Sequence, residues 1–260
     1  MSELNKVVVF DLDETLGYFQ EFGILWNSLQ IKYSNQLNFD NNLFNSLLDL
    51  YPELLRPNIL NILDMIVKNQ KNQKNQNIKP ILLMIYTNNN GGKNWVNLII
   101  KYFESKICDL NVDRIINAFK IDDKIIEPLR TGYEKKHSDF LRTTKLSKDT
   151  RICFIDDTYH PQMEHDNIVY LHIKPYTYNL SVNIFLNRLK KHKIFGKKGF
   201  IDDNTFEMLK FNLDYRNISN NNSESQFEKK SQLEQKVDTI VSKQIMCFLQ
   251  EFITDFTNVN

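Results

Sequence analysis

Asp11 and Asp13 flank a single leucine in the segment DLDETL, directly after the apolar run VVVF. A carboxylate in this position can attack phosphorus and form an aspartyl-phosphate. The second carboxylate can protonate the leaving oxygen and later take a proton from the hydrolytic water. The spacing therefore favours phosphoryl chemistry, and the alternative is a turn that ends a strand and caps a helix.

A hydroxyl residue follows a second apolar run in the same way. Thr87 comes directly after ILLMIY, and Asn88 begins the polar turn NNNGG that comes next. A hydroxyl and free backbone N–H groups ahead of a helix can hold phosphate oxygens. We therefore predict that Thr87 and Asn88 bind a phosphate group, and the alternative is a plain strand-to-helix turn.

Two charged pairs complete the set of residues that could do chemistry. Asp156 and Asp157 follow the run ICFI, and adjacent carboxylates at a buried strand end repel each other unless a cation such as Mg²⁺ joins them. Lys135 and Lys136 stand upstream of that run, and one of them could bridge Asp11 and a phosphate oxygen. Which lysine does so, and which acid of the pair binds metal directly, stays open. The alternatives are a solvated acidic turn and a solvated helix face.

Apolar runs and helical patterns alternate along the chain and must position these residues. Strands are predicted at residues 7–10, 81–86, 152–155 and 168–173. Helices are predicted at residues 59–67, 95–103 and 140–146. This alternation predicts an α/β fold, a Rossmann-like three-layer sandwich with a central parallel sheet. Ligands bind such sheets at the carboxyl ends of the strands, where the aspartates and the threonine are expected.

Other stretches lie outside this alternation. Residues 17–57 predict a small helical insertion of two short helices after the first strand, and the polar residues 69–77 predict a solvated loop. Residues 217–226 read as a polar linker, followed by one long helix with an apolar face. We therefore predict a catalytic domain over residues 1–200 and a helical C-terminal extension over 201–260. Its last helix is expected to pack on the domain, and self-association or partner binding is the alternative.

Composition argues against several classes of protein. The 260 residues have a net charge of +1, so no overall field favours nucleic acid or an anionic membrane. The three cysteines are widely spaced and form no C-x-x-C motif, which argues against a disulfide framework or a structural zinc site. The polar first residues fit neither a signal peptide nor a membrane span. We expect an intracellular, reducing location, the cytoplasm, and no membrane partner.

The order of these residues resembles that of the haloacid dehalogenase superfamily, over roughly residues 7–171. DLDET matches the family's first motif, D-x-D-x-T, and the acidic pair matches its fourth. The resemblance implies that Asp11 is the nucleophile. It also implies that Asp13 is the general acid and base, and that the backbone carbonyl of Asp13 binds Mg²⁺.

The remaining roles also follow from the resemblance. It implies that Thr87, with Lys135 or Lys136, holds the phosphate, and that Mg²⁺ is the cofactor. The metal site would consist of Asp11, Asp13, Asp156 and Asp157. An aspartate at position 13 implies phosphate-ester hydrolysis or phosphoryl transfer, because dehalogenases need no acid there and the transport ATPases carry threonine.

Within the superfamily, DLDETL and the dipeptide Arg56-Pro57 look most like the polymerase C-terminal-domain phosphatases. Those enzymes carry a hairpin insertion, which we do not find between Gly91 and Lys135. We expect a Mg²⁺-dependent phosphatase that acts on a phosphorylated protein or small molecule. One alternative is a phosphatase of nucleotides or nucleic-acid ends, although nothing in the sequence indicates nucleic acid. The other is a non-catalytic binding module on the same fold.

Overall fold

The computed structural model describes residues 6–91, 94–197, 200–219 and 230–255, without the side chains of 214–219. By contacts within the chain, the protein divides into two compact units. The first contains the described residues of Met1–Gly17, Arg56–Tyr176 and Lys236–Asn260. The second contains those of Tyr18–Leu55 and Thr177–Gln235. The predicted boundary at residue 200 divides the chain into two continuous ranges, whereas these two units are discontinuous in sequence, and that boundary stays a prediction.

Seven strands lie in the described residues. They are β1 (Lys6–Phe10), β2 (Leu82–Tyr86), β3 (Arg114–Ile116), β4 (Lys120–Ile121), β5 (Lys124–Ile125), β6 (Arg151–Asp156) and β7 (Ile168–His172). Five of them form a parallel sheet in the order β3, β2, β1, β6, β7. The predicted α/β fold with a central parallel sheet is thereby confirmed.

The apolar strand β1 lies at the centre of this sheet. Its residue Val7 pairs with Leu82 of β2 on one side and with Ile152 of β6 on the other. Residues 7–10 are all fully buried. Because successive side chains of a strand point to opposite faces, burial at every position requires a covering layer on both faces.

Eight α-helices lie in the described residues. They are α1 (Gln20–Tyr33), α2 (Asn41–Leu48), α3 (Ile59–Asn75), α4 (Trp95–Lys106), α5 (His137–Thr144), α6 (Val182–Leu189), α7 (Asp203–Ser219) and α8 (Gln232–Thr254). Helices α1 and α2 are the predicted insertion after the first strand, and α8 is the predicted C-terminal helix. None of these described helices has both the length and the apolar composition needed to span a bilayer.

The core of the first unit includes one face of the sheet and α5. Val7 and Val9 of β1 form a buried cluster with Tyr86, Phe140 and Phe154, among others. The return from β3 to β6 passes through α5, whereas α3 and α4 connect β1, β2 and β3 in the opposite direction. Right-handed crossovers therefore place α5 on one face and α3 and α4 on the other, the three-layer arrangement that was predicted.

The core of the second unit is aromatic. Phe22 of α1 meets Phe44 of α2 edge to face, with ring centroids 5.2 Å apart. Tyr51 stacks on Phe185 of α6 at 4.0 Å, and its hydroxyl donates to the Phe185 carbonyl. Ring pairs of this kind stabilise the packing of α1 against α2 and of Tyr51 against α6.

Two local predictions are wrong. The polar residues 69–77 were predicted as a loop, but α3 continues to Asn75. Asn, Gln and Lys are compatible with a helix, and here Gln70 and Gln73 hydrogen-bond the backbone of Ile81. A short antiparallel hairpin, β4–β5, also lies between Gly91 and Lys135, where no hairpin was found in the sequence. Its strands of two residues are too short to show an alternating pattern.

Of the predicted linker at 217–226, residues 217–219 belong to α7 and the others lie outside the described residues.

Candidate functional site

The loop after β1, residues 11–17, is called the β1 loop below. The backbone N–H of Asp11 still donates to the Ile155 carbonyl, which extends the pairing with β6 by one residue. The chain then turns sharply at Glu14, whose φ is 57°. Bonds from the Glu14 N–H to the Gly17 carbonyl and from the Leu16 N–H to the Leu12 carbonyl close the turn. The loop is therefore tightly held at the carboxyl edge of the sheet.

Lys135 lies between two carboxylates at this edge. Its Nζ is 2.5 Å from Asp11 Oδ1 and 2.6 Å from Asp156 Oδ2. Lys135 is 1% exposed, and both aspartates are buried as well. Lys136 does not reach these carboxylates through any described bond; it is the N-cap of α5, and its backbone N–H donates to the Tyr86 hydroxyl. Of the two predicted lysines, the structure brings only Lys135 to Asp11.

Three carboxylates converge at this point. Oxygens of Asp11, Asp156 and Asp157 all lie within 4.8 Å of one another. A set of carboxylate oxygens at this separation matches the hard oxygen ligands that Mg²⁺ takes in proteins. The residues present therefore fit the predicted cation. Asp13 is predicted to bind the cation through its backbone carbonyl and adds no carboxylate oxygen to this group, so its place in the metal site stays a prediction.

Thr15 ties the first acidic motif to the second. Its hydroxyl donates to Asp157 Oδ1 at 2.9 Å and accepts from the Asp157 N–H at 3.2 Å. Asp156 is held separately, since its Oδ1 accepts from the Thr158 N–H at 2.8 Å. These bonds aim the two adjacent carboxylates at the same point instead of leaving them free to separate.

Asp13 is held by the loop that follows β2. Asn89 Nδ2 donates to Asp13 Oδ2 at 2.6 Å. The Asn89 N–H in turn donates to the Thr87 hydroxyl oxygen at 2.9 Å. As an acceptor in this bond, the Thr87 hydroxyl keeps its own proton for donation. Thr87 and Asp13 thus lie at the same end of the sheet and are linked through Asn89, which was not among the predicted site residues.

Asn88 has a structural partner. Its Oδ1 accepts from Arg130 Nη2 at 2.7 Å, and Arg130 also donates to the carbonyls of Thr87, Asn117 and Tyr133. Arg130 therefore fastens the loop after β2 to the end of β3 and to the segment that leads to Lys135. This bond uses the side-chain oxygen of Asn88, whereas a phosphate oxygen would need one of its N–H donors, so the predicted role of Asn88 in substrate binding stays a prediction.

Burial sets the protonation of the site. It raises the pKa of Asp11 to about 8 and raises the pKa of Asp13 above its ordinary value, because a charged carboxylate loses solvation there. Burial alone would lower the pKa of Lys135, but Asp11 and Asp156 together raise it. Lys135 contacts only Asp11 and Asp156 in this cluster, and a bound divalent cation would further favour the ionised form of Asp11.

Three further residues belong to the site although sequence reasoning did not assign them a role. They are Thr15, Asn89 and Arg130. Thr15 stands at the last position of D-x-D-x-T, so the motif itself could have indicated it. Asn89 sits in a run of three asparagines and Arg130 in an irregular segment, and neither position has a periodicity that would single it out. His160 lies nearby, with Nε2 3.7 Å from Asp156 Oδ2.

Comparisons of the chain with protein-family models, with curated proteins and with solved structures give no match.

Proposed function

We propose that this chain is a Mg²⁺-dependent phosphatase of the haloacid dehalogenase type that hydrolyses a phosphate monoester. The observation that carries the proposal is the convergence of Asp11, Asp156 and Asp157 at one sheet edge, with Lys135 between two of them. Asp13 and Thr87 come to the same edge through Asn89. A buried nucleophile, a cation and a separate acid are the parts that phosphoryl transfer through a covalent intermediate requires.

In the first step, an Asp11 oxygen attacks phosphorus in line with the leaving oxygen, and the bond from phosphorus to that oxygen breaks. Asp13 gives its proton to the leaving oxygen, so that an alcohol departs and Asp11 carries the phosphoryl group. The raised pKa of Asp13 favours the protonated form that this step needs. Lys135 and the Thr87 hydroxyl would donate to phosphoryl oxygens as their negative charge develops.

In the second step, Asp13 is a carboxylate and takes a proton from water, whose oxygen attacks phosphorus. The bond to Asp11 breaks, inorganic phosphate leaves, and both aspartates return to their starting states. The carboxylates of Asp11, Asp156 and Asp157 would hold Mg²⁺. Its charge, when bound, would favour the ionised form of Asp11 and offset the negative charge of the phosphoryl group.

Replacement of the nucleophile tests the proposal. With Mg²⁺ present, the chain is expected to hydrolyse p-nitrophenyl phosphate, and Asp11→Asn should lower kcat by roughly 10³-fold or more. Asp123→Asn is the matched control. Asp123 is exposed in the β4–β5 turn at a φ of 60°, a conformation that asparagine tolerates, so this variant should keep wild-type activity.

The substrate panel should include phosphopeptides, nucleotides, 3′-phosphate oligonucleotides and small phosphate esters. A wild-type chain that hydrolyses none of them with Mg²⁺ would overturn the proposal in favour of a binding module. Hydrolysis that survives Asp11→Asn unchanged would show that another residue is the nucleophile.

A further inference from the structure

Arg56 is a buried arginine that bonds to the β1 loop through both its backbone and its side chain. Its backbone N–H donates to the Leu16 carbonyl at 3.0 Å. Its Nε donates to the Thr15 carbonyl at 2.6 Å, and its Nη2 donates to the Glu14 carbonyl at 2.6 Å. Arg56 is 1% exposed, so water does not compete for these bonds. One residue therefore holds three consecutive carbonyls of the loop.

The same guanidinium joins the β1 loop to the segment that follows β7. Its Nη2 also donates to the Lys174 carbonyl at 2.9 Å. From that segment, the Tyr176 N–H donates to the Glu14 carbonyl at 2.8 Å, and the centroid of the Tyr176 ring lies 5.5 Å from the guanidinium carbon of Arg56. A guanidinium is planar and presents its donors in a fixed fork, so a single side chain can align several acceptors at once.

The turn at Glu14 depends on such support. Its φ of 57° lies in the left-handed region, which residues other than glycine adopt at a cost in free energy. Such a conformation persists when surrounding contacts fix it. Arg56 and Tyr176 both donate to the carbonyl of Glu14, and they thereby fix the peptide plane that leads into Thr15.

Thr15 transmits this constraint to the acidic cluster. Its backbone carbonyl accepts from Arg56, while its hydroxyl donates to Asp157 Oδ1 at 2.9 Å and accepts from the Asp157 N–H at 3.2 Å. Asp157 is one of the three carboxylates whose oxygens lie within 4.8 Å of one another. A continuous series of direct contacts therefore runs from Arg56 through Thr15 to a carboxylate of the candidate cation site.

We propose that Arg56 is a positioning residue for the cation site. Its guanidinium fixes the backbone of Thr15, so that the Thr15 hydroxyl holds the Asp157 carboxylate in the acidic cluster. Mg²⁺ requires nearly ideal octahedral geometry, so a displaced ligand oxygen weakens its binding. This inference rests on the proposed function, because the cation site is part of it. Arg56 itself contacts neither substrate nor cation in this assignment.

The test uses the full chain and four variants. Arg56→Lys keeps the positive charge but loses the planar fork. Arg151→Lys is the matched control, because Arg151 is the first residue of β6 and lies at the opposite end of the sheet. Thr15→Val removes the hydroxyl that contacts Asp157, and the fourth variant combines it with Arg56→Lys. Isothermal titration calorimetry with Mg²⁺ measures binding without catalysis, and backbone amide chemical shifts of the metal-free protein report residues 15 and 157.

Arg56→Lys is expected to shift the amide resonances of Thr15 and Asp157 and to raise the Kd for Mg²⁺ by about 10-fold, the loss typical when a residue that orients a metal ligand is replaced. Arg151→Lys should leave both unchanged. Adding Arg56→Lys to Thr15→Val should change the Kd by less than about 2-fold, because Arg56 then has no route to Asp157. With p-nitrophenyl phosphate, the Mg²⁺ concentration for half-maximal activity should rise in parallel with the Kd.

An unchanged Mg²⁺ Kd or an unmoved Asp157 amide in Arg56→Lys would overturn the inference. Additive losses in the double variant would also overturn it, because Arg56 would then act independently of Thr15. If circular dichroism shows that Arg56→Lys does not fold, Arg56→Met makes the same comparison without a buried charge. A wild-type chain that binds Mg²⁺ but hydrolyses no phosphate ester would refute the proposed function alone, and calorimetry would still decide the role of Arg56.

Discussion

The two edges of the central sheet use similar charged residues for different purposes. At the carboxyl edge, Lys135 is enclosed between Asp11 and Asp156 and has almost no access to water. At the amino edge, Lys6 and Arg151 are paired first residues of β1 and β6, and both are partly exposed. Lys6 caps the last carbonyls of α8, and Arg151 Nη1 lies 3.0 Å from Asp255 Oδ2.

The difference lies in solvation. An exposed pair gains little, because water already stabilises both charges. An enclosed cluster cannot rely on water, so each group depends on its neighbours, and its protonation and cation affinity are set by them. The carboxyl edge therefore suits chemistry, whereas the amino edge contributes modestly to stability.

The largest expected effect separates the adjacent lysines. Lys135→Met should lower kcat by roughly 10²–10³-fold, the loss typical of removing a donor to developing charge. Lys136→Met should change kcat by less than about 2-fold, because its side chain has no described bond to the candidate site. Steady-state kinetics at saturating Mg²⁺, with circular dichroism to verify folding, would measure both. Equal losses in the two variants would contradict the assignment of Lys135.

A smaller effect is expected at Asn89, which holds Asp13. Asn89→Ala should lower kcat by about 10-fold for an alkyl phosphate, because a poor leaving group needs a well-placed acid. The loss should be smaller for p-nitrophenyl phosphate, whose leaving group needs little protonation. Asn90→Ala, at an exposed neighbouring position, is the control. A loss that is the same for both substrates would mean that Asn89 does not act through Asp13.

The smallest effect on catalysis is expected at the amino edge. Lys6→Met removes a cap from the last turn of α8 and should lower the free energy of unfolding by about 1 kcal/mol. Its kcat should stay near that of the wild type. Denaturant unfolding and steady-state kinetics on the same preparation would measure the two quantities. A kcat loss in Lys6→Met as large as that of Lys135→Met would contradict the proposed difference between the two edges.

Strongly apolar segments were predictable. The runs at β1, β2 and β6 identified the sheet core because their burial on both faces leaves no polar position. Strand β3 and the hairpin β4–β5 were not predicted, since two or three residues carry no measurable periodicity. The polar end of α3 was also not predicted. Its Gln70 and Gln73 side chains bond to the backbone of Ile81, which lies beyond the helix, and this contact leaves no apolar pattern in the sequence.

The sequence by itself determined the fold class, the central strands β1, β2 and β6, and the aspartates, the threonine and the acidic pair at their carboxyl ends. The order of residues along the chain is enough to predict these features, because residues that directly follow parallel strands lie at the same end of the sheet. Only the tertiary structure brings Lys135 rather than Lys136 to Asp11, Asn89 rather than Asn88 to Asp13, and Arg130 to the loop after β2. Those choices depend on side-chain direction and on contacts between segments far apart in the chain, and residue spacing carries no information about either.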